Sequence, residues 1–182
     1  AAPKYKAVAG LLGIPCQGLL GADTELGRWL RSRNALVRVG DLLFVHAGVS
    51  AAVASRKVDY EKLNRGIRSV LGVPPTQIKD QRLAILAWGA AGPLWYRGYF
   101  KEHALLFGPP PSVQALDGIL RNLGARSIVI GHTQVARVTE MFGRRRVLAI
   151  DTPWTNVETV QGILVTGDKI QVVDVRGKRT GL

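Results

Sequence analysis

Two short apolar runs, Leu42 to His46 and Ser127 to Ile130, most constrain what this chain can fold into. Each runs into a histidine with a glycine close by, in the sequences His46-Ala47-Gly48 and Gly131-His132. Runs of this length bounded by turn residues fit buried strands. In open α/β folds ligands gather beyond the carboxyl ends of strands, where rigid backbone aims a side chain. The pattern therefore predicts a sheet whose strand ends bring His46 and His132 into a common space. A neutral imidazole is a good ligand for zinc, iron or manganese, so the two can close on one ion from two loops, or each can simply hydrogen-bond at its strand end.

The rest of the chain supplies the layers such a sheet needs. Asp23 and Thr24 stand where an N-cap belongs, ahead of Leu26, Trp29 and Leu30 at helical spacing. Ala35 to Val39 pairs with Leu42 to His46 across Gly40-Asp41, a dipeptide suited to a tight hairpin. A second helical period runs from Tyr60 to Leu71 through Leu63, Ile67 and Val70, before Pro74-Pro75 stops it. Trp88 to Phe100 lacks a period and reads as a loop carrying Trp95, Tyr96 and Arg97. Ser112 caps a helix whose apolar face is Val113, Leu116, Ile119, Leu120 and Leu123, with Gly124 as its stop. A strand from Val147 to Ile150 and a hairpin from Gly162 to Val175 turning at Gly167-Asp168 complete the pattern. The expected fold class is α/β: a mixed β-sheet flanked by helices, in a single domain over residues 1–182.

Composition narrows the chemistry. One cysteine, Cys16, excludes an intrachain disulfide and a thiolate metal cluster. No apolar run approaches the roughly 18 residues a membrane helix requires, and the amino end lacks the layout of a signal peptide. The net charge of +12 favours phosphate-rich partners. The basic residues are scattered and lack interleaved aromatics, so a solvated basic surface is expected ahead of a nucleic-acid site.

The residues that adjoin the two histidines resemble a known family. LFVHAGVS at Leu43 to Ser50 and IVIGHTQV at Ile128 to Val135 resemble the later motifs of calcineurin-like metallophosphoesterases. TELGRWLR at Thr24 to Arg31 and GPLWYRGY at Gly92 to Tyr99 are similar to the branch called Shewanella-like protein phosphatases. The resemblance covers the carboxyl-terminal half of such a protein and implies a divalent metal (Mn, Fe or Zn) held by His46 and His132. It also implies Arg97 as the catalytic clamp on a phosphoryl group, a phosphorylated substrate, and Asp151 as a supporting residue. Its branch implies a bacterial cytoplasm or an organelle, chloroplast or mitochondrion.

Three earlier motifs of the resembled family, Asp-x-His, GDxxDRG and GNHE, do not occur here. The resemblance therefore implies half of a two-sheet sandwich, with an apolar sheet face that a missing amino-terminal half or a protein partner must cover. Two functions follow as expectations: a metal-dependent phosphatase in complete form, or an inactive metallophosphatase-like structural subunit of a larger assembly. A nucleic-acid-associated module is the weaker third.

Overall fold

The protein is described by a computed structural model covering residues 10, 11, 13, 16–155 and 157–182. The expected domain spans 1–182, so its first nine residues lie outside the described ones. The fold is α/β, as the sequence pattern predicts. Helix α1 (Glu25–Ser32) begins at Thr24, whose hydroxyl accepts from the Gly27 N–H at 3.0 Å. Strands β1 (Leu36–Val39) and β2 (Leu42–Val45) form the predicted hairpin, with Gly40 at a φ of 59° in the turn. Helix α2 (Tyr60–Val70) starts at Asp59, and α3 (Gln81–Trp88) starts at Asp80.

A single helical turn, α4 (Ala104–Phe107), precedes α5 (Val113–Leu123), which is capped by Ser112 and closed by Gly124 in the left-handed conformation. Strands β3 (Ser127–Ile130), β4 (Thr139–Met141) and β5 (Val147–Ala149) join the first two in a sheet of order β1-β2-β3-β5-β4. Strands β6 (Gln161–Thr166), β7 (Lys169–Asp174) and β8 (Arg179–Gly181) form a separate antiparallel sheet.

Side-chain alternation gives the large sheet two unlike faces. One carries Leu36, Leu43, Val45, Ile128, Ile130, Val147 and Ala149, packed against Leu116, Ile119, Leu120 and Leu123 of α5. These side chains are buried, and each fully buried aliphatic contributes about 1.5–3 kcal/mol relative to exposure. The opposite face carries Val37, Val39, Leu42, Phe44, Val129 and Leu148 in the same register. Only its middle is covered, by Ile163, Ile170 and Leu182 of the small sheet and its end. Helices α5 and α2 thus lie on one face, and an antiparallel sheet takes part of the other.

Two polar anchors fix the helices to the sheet. Asn64, buried within α2, accepts from the Ala35 and Leu36 N–H groups at 2.9 and 3.0 Å and donates to the Leu36 carbonyl at 2.8 Å. Arg146 holds Asp117 of α5 through two guanidinium nitrogens at 2.6 and 3.0 Å. Such bidentate pairing adds geometric specificity to the charge attraction.

Candidate phosphoryl site at the strand ends

Parallel pairing of β2 with β3 sets Val45 beside Ile130, so the residues that follow both strands emerge at the same sheet edge. The ladder continues one step further, the Gly131 N–H donating to the His46 carbonyl at 3.0 Å. A Cβ on Gly131 would stand 3.3 Å from that oxygen, which explains the small residue at this point. His132 then turns sharply. Its φ is 63°, and the Thr133 N–H closes a three-residue turn on the Gly131 carbonyl at 2.7 Å. Such γ-turns are rare and strained, and a bulky residue in the left-handed region is held there only when its surroundings over-determine it.

The aromatic loop is fastened to the loop that follows β2. Ala47 and Gly48 N–H groups donate to the Pro93 carbonyl at 3.0 and 3.4 Å, and the Ser50 hydroxyl donates to the Ala91 carbonyl at 2.8 Å. Tyr99 is fully buried. Its hydroxyl donates to the Val49 carbonyl at 2.8 Å and accepts from the Val49 N–H at 3.2 Å, while burial pushes its pKa well up. Gly48 is required here, since a Cβ would lie 2.9 Å from the Tyr96 carbonyl oxygen. These bonds fix Arg97 opposite the histidines.

The structure brings the three sequence-predicted site residues together. His46 Nε2 lies 3.0 Å from His132 Nδ1, and His132 Nε2 lies 2.6 Å from an Arg97 terminal nitrogen. A guanidinium can only donate, so His132 Nε2 accepts and its proton sits on Nδ1, donated to His46 Nε2. Both rings are therefore neutral in this arrangement. Both pKa values are lowered, by burial first; Asp151 pulls upward and Arg97 downward on each. Trp95 meets the His132 ring edge-on, with centroids 5.8 Å apart. The Asp151 backbone carbonyl accepts from the Val135 N–H at 2.9 Å, tying down the far end of the His132 loop.

Two atoms of the site are buried without a hydrogen-bond partner: Arg97 Nε and Thr133 Oγ1. Buried polar groups in native folds are nearly always paired, so these two are exceptions among the described residues. Thr133 escaped the sequence reading, although its position directly after His132 was a usable signal. His103 is half-buried between Phe100 and Phe107.

The expected divalent metal is corrected by this geometry. Both nitrogens of His132 and Nε2 of His46 are engaged with each other or with Arg97. Among the described residues no group of three or more His, Cys, Asp or Glu side chains gathers to hold an ion. The residues present form a chain of contacts from His46 through His132 to the Arg97 guanidinium.

Comparison with known proteins bears on this. No family model matches the chain, and no curated protein does. Three solved structures match with a TM-score of 0.83 each. A single-substitution mutant of a cold-active protein tyrosine phosphatase is 33% identical, covering 98% of this chain and 52% of that one. A cold-active protein tyrosine phosphatase solved at 1.1 Å is 32% identical over 98% of this chain and 50% of that one. The cold-active protein tyrosine phosphatase of a psychrophilic Shewanella species is 32% identical over 98% and 52%. The expected membership of the calcineurin-like metallophosphoesterases is corrected on these findings. No family model carries it, and the matching structures are described by a phosphotyrosine substrate rather than by a metal. The chain is similar, over nearly all of its own length, to about half of a solved protein tyrosine phosphatase.

Proposed function

We propose that this chain carries the phosphoryl-binding half of a phosphatase acting on phosphomonoesters, with phosphotyrosine in proteins as the substrate class. The observation that carries the reading is Arg97: a guanidinium whose Nε is buried and unpartnered, set beside two neutral imidazoles and the orphan hydroxyl of Thr133. A guanidinium offers two parallel N–H groups to two phosphoryl oxygens, and in a partly desolvated site that attraction outweighs its value in water. The name of the matching structures supports both the phosphatase class and the tyrosyl ester.

The chain's own residues then have definable tasks. Arg97 neutralises the phosphoryl group and orients it toward the strand ends. As Arg97 turns to the substrate, His132 Nε2 loses its donor and becomes free to accept a proton at the site. His46 takes the hydrogen bond from His132 Nδ1 and fixes the tautomer that makes this possible. Trp95, half exposed at the rim, offers an aromatic edge to a tyrosyl ring.

The test is equilibrium binding of phosphotyrosine and inorganic phosphate to the chain, followed by NMR of the histidine ring protons. Hydrogen bonds to charged groups contribute about 1.5–3 kcal/mol, so Arg97→Ala should weaken phosphotyrosine binding by roughly 10- to 100-fold. Arg97→Lys should recover only part of that, because a point charge cannot grip two oxygens. Equal affinity in wild type and Arg97→Ala removes Arg97 from the site.

A further inference from the structure

Arginines that lie apart in the sequence gather where α1 meets α2. Arg28 and Arg31 of α1 face Arg65 and Arg68 of α2 across an open cleft of about 520 Å³. Each pair is spaced i, i+3, so both arginines of a helix project to one side. Gly72, just past α2, lets the two helices approach: a Cβ there would stand 3.1 Å from Arg31 Nη2.

These guanidinium groups are held in place by the fold. Arg31 Nη1 donates to the Leu20 and Gly27 carbonyls at 2.8 and 3.1 Å, Arg28 Nη1 to the Asp23 carbonyl, and Arg68 Nη1 to the Asn34 side-chain oxygen. Arg65 pairs with Glu61 one turn away on its own helix, the single carboxylate that bonds any of the four among the described residues. Arg28, Arg31 and Arg68 are thus aimed by neutral acceptors that fix direction without cancelling charge. Their Nε and Nη2 groups make no hydrogen bond among the described residues. The helix macrodipole favours a cation in the last turn, which accounts for Arg31 and Arg68 taken singly. It does not account for Arg28 and Arg65, which add repulsion to the pair already there unless an anion joins them.

The make-up of the cleft selects the anion. Its described lining has no aromatic ring to stack a base, and no carboxylate to hold a sugar hydroxyl or an amine. A guanidinium can grip two oxygens of one phosphoryl group, so two facing pairs fit neighbouring phosphoryl groups better than a lone one. We infer that the α1–α2 cleft binds linked phosphoryl groups that carry no nucleoside, a condensed phosphate such as diphosphate or tripolyphosphate. Arg31 and Arg68, both half-buried, form its floor, while the exposed Arg28 and Arg65 form its rim. None of these residues belongs to the His46, His132 and Arg97 cluster, so the inference stands apart from the phosphotyrosine reading.

The test is calorimetric titration of the Arg97→Ala chain with tripolyphosphate, diphosphate, orthophosphate and sulfate, free of divalent cations, so that the strand-end cluster does not contribute. Tripolyphosphate should bind one-to-one, roughly tenfold or more tighter than orthophosphate or sulfate, and more weakly as salt rises. Adding Arg68→Gln should weaken it roughly tenfold, and the more exposed Arg65→Gln by less. Glu61→Gln frees Arg65 from its carboxylate and should tighten binding. The Arg65 and Glu61 side chains are 68% and 81% exposed, so neither change should disturb folding, which circular dichroism checks. Arg176→Gln, at an exposed position outside the cleft, should leave the affinity unchanged. Absence of binding overturns the inference, as does an affinity that neither Arg65→Gln nor Arg68→Gln alters. Equal loss in Arg176→Gln overturns it too, by showing only diffuse surface charge. Equal affinity for orthophosphate overturns the assignment to linked phosphoryl groups. A single-stranded oligonucleotide that binds more tightly than tripolyphosphate, and loses that affinity in Arg65→Gln, overturns it by making nucleic acid the ligand.

Discussion

The two faces of the five-stranded sheet are built from equally apolar residues and end up in different states. On the helix side Leu36, Leu43, Ile128 and Val147 are sealed by α5, together with Tyr99 and Phe100. On the other side Leu42, Val129 and Leu148 are sealed, while Val37 and Val39 of the same register remain open. The contrast separates what holds the fold from what the fold presents. The candidate site sits at the end of the open side, where His46 and His132 emerge, and its fastening bonds come from loops packed against the closed side.

If that division is real, truncations to alanine on the two faces must differ by more than the one extra carbon that Leu43 loses. Leu43→Ala deletes a side chain with no exposure and leaves a cavity, which should cost roughly 2–5 kcal/mol. Val37→Ala trims a side chain that is 41% exposed and should cost less, about 0.5–1 kcal/mol. Urea unfolding with a common slope measures both. Similar losses at the two positions would mean that something already covers the open face in solution.

Asn64 sits at the seam between the faces and gives the next largest effect. Its amide satisfies two N–H groups and one carbonyl of the chain entering β1. Asn64→Ala leaves those buried groups unpaired, at a cost of about 1–3 kcal/mol. It should also speed hydrogen exchange at Leu36 while leaving Ile128 protected. Uniform loss of protection across the sheet would show that β1 is not a separable edge.

How much of this was legible in the sequence follows the same division. Thr24, Ser112, Gly40 and Gly124 mark their caps and turns because those conformations demand particular residue types, and the elements they bound fall where expected. Helix α3 was read as no element at all. In RLAILAW nearly every position is apolar, so no 3.6-residue stripe stands out, and only Asp80 signalled a start. Strands β4 and β8 are three residues each and lack an apolar alternation, so nothing local announces them. At the site, the meeting of His46 and His132 could be read from two matching strand ends. Their partner could not. The chain spacing does not reveal that Arg97 reaches His132 Nε2, because the loop carrying it is placed by Pro93, Ser50 and Tyr99 contacts across 40 residues and more. That bond occupies the His132 nitrogen that an expected metal would have needed.

The smallest expected effect separates the faces by pH. His46 and His132 on the open side have folded pKa values below their ordinary 6.5, chiefly through burial, with Arg97 opposing their charge and Asp151 favouring it; His103 also lowers His132. In the window between those lowered values and about 6.5 the unfolded chain binds more protons than the folded one. Stability therefore rises with pH through that window, and is lost as pH falls from 6.5. Asp117 on the closed side is lowered too, from a lower ordinary value. Its hydrogen bond to Arg146 depresses the carboxyl below 3.8, so its contribution is complete above that pH and disappears only further down. Acid titration of stability should thus show two separate losses, the open-side one first. His46→Gln combined with His132→Gln should flatten the slope just below pH 6.5 and leave the lower one in place. Asp117→Asn should do the reverse. A double histidine variant that keeps the upper slope would mean that the two rings bind protons alike in the folded and unfolded chain, and that other groups set the slope.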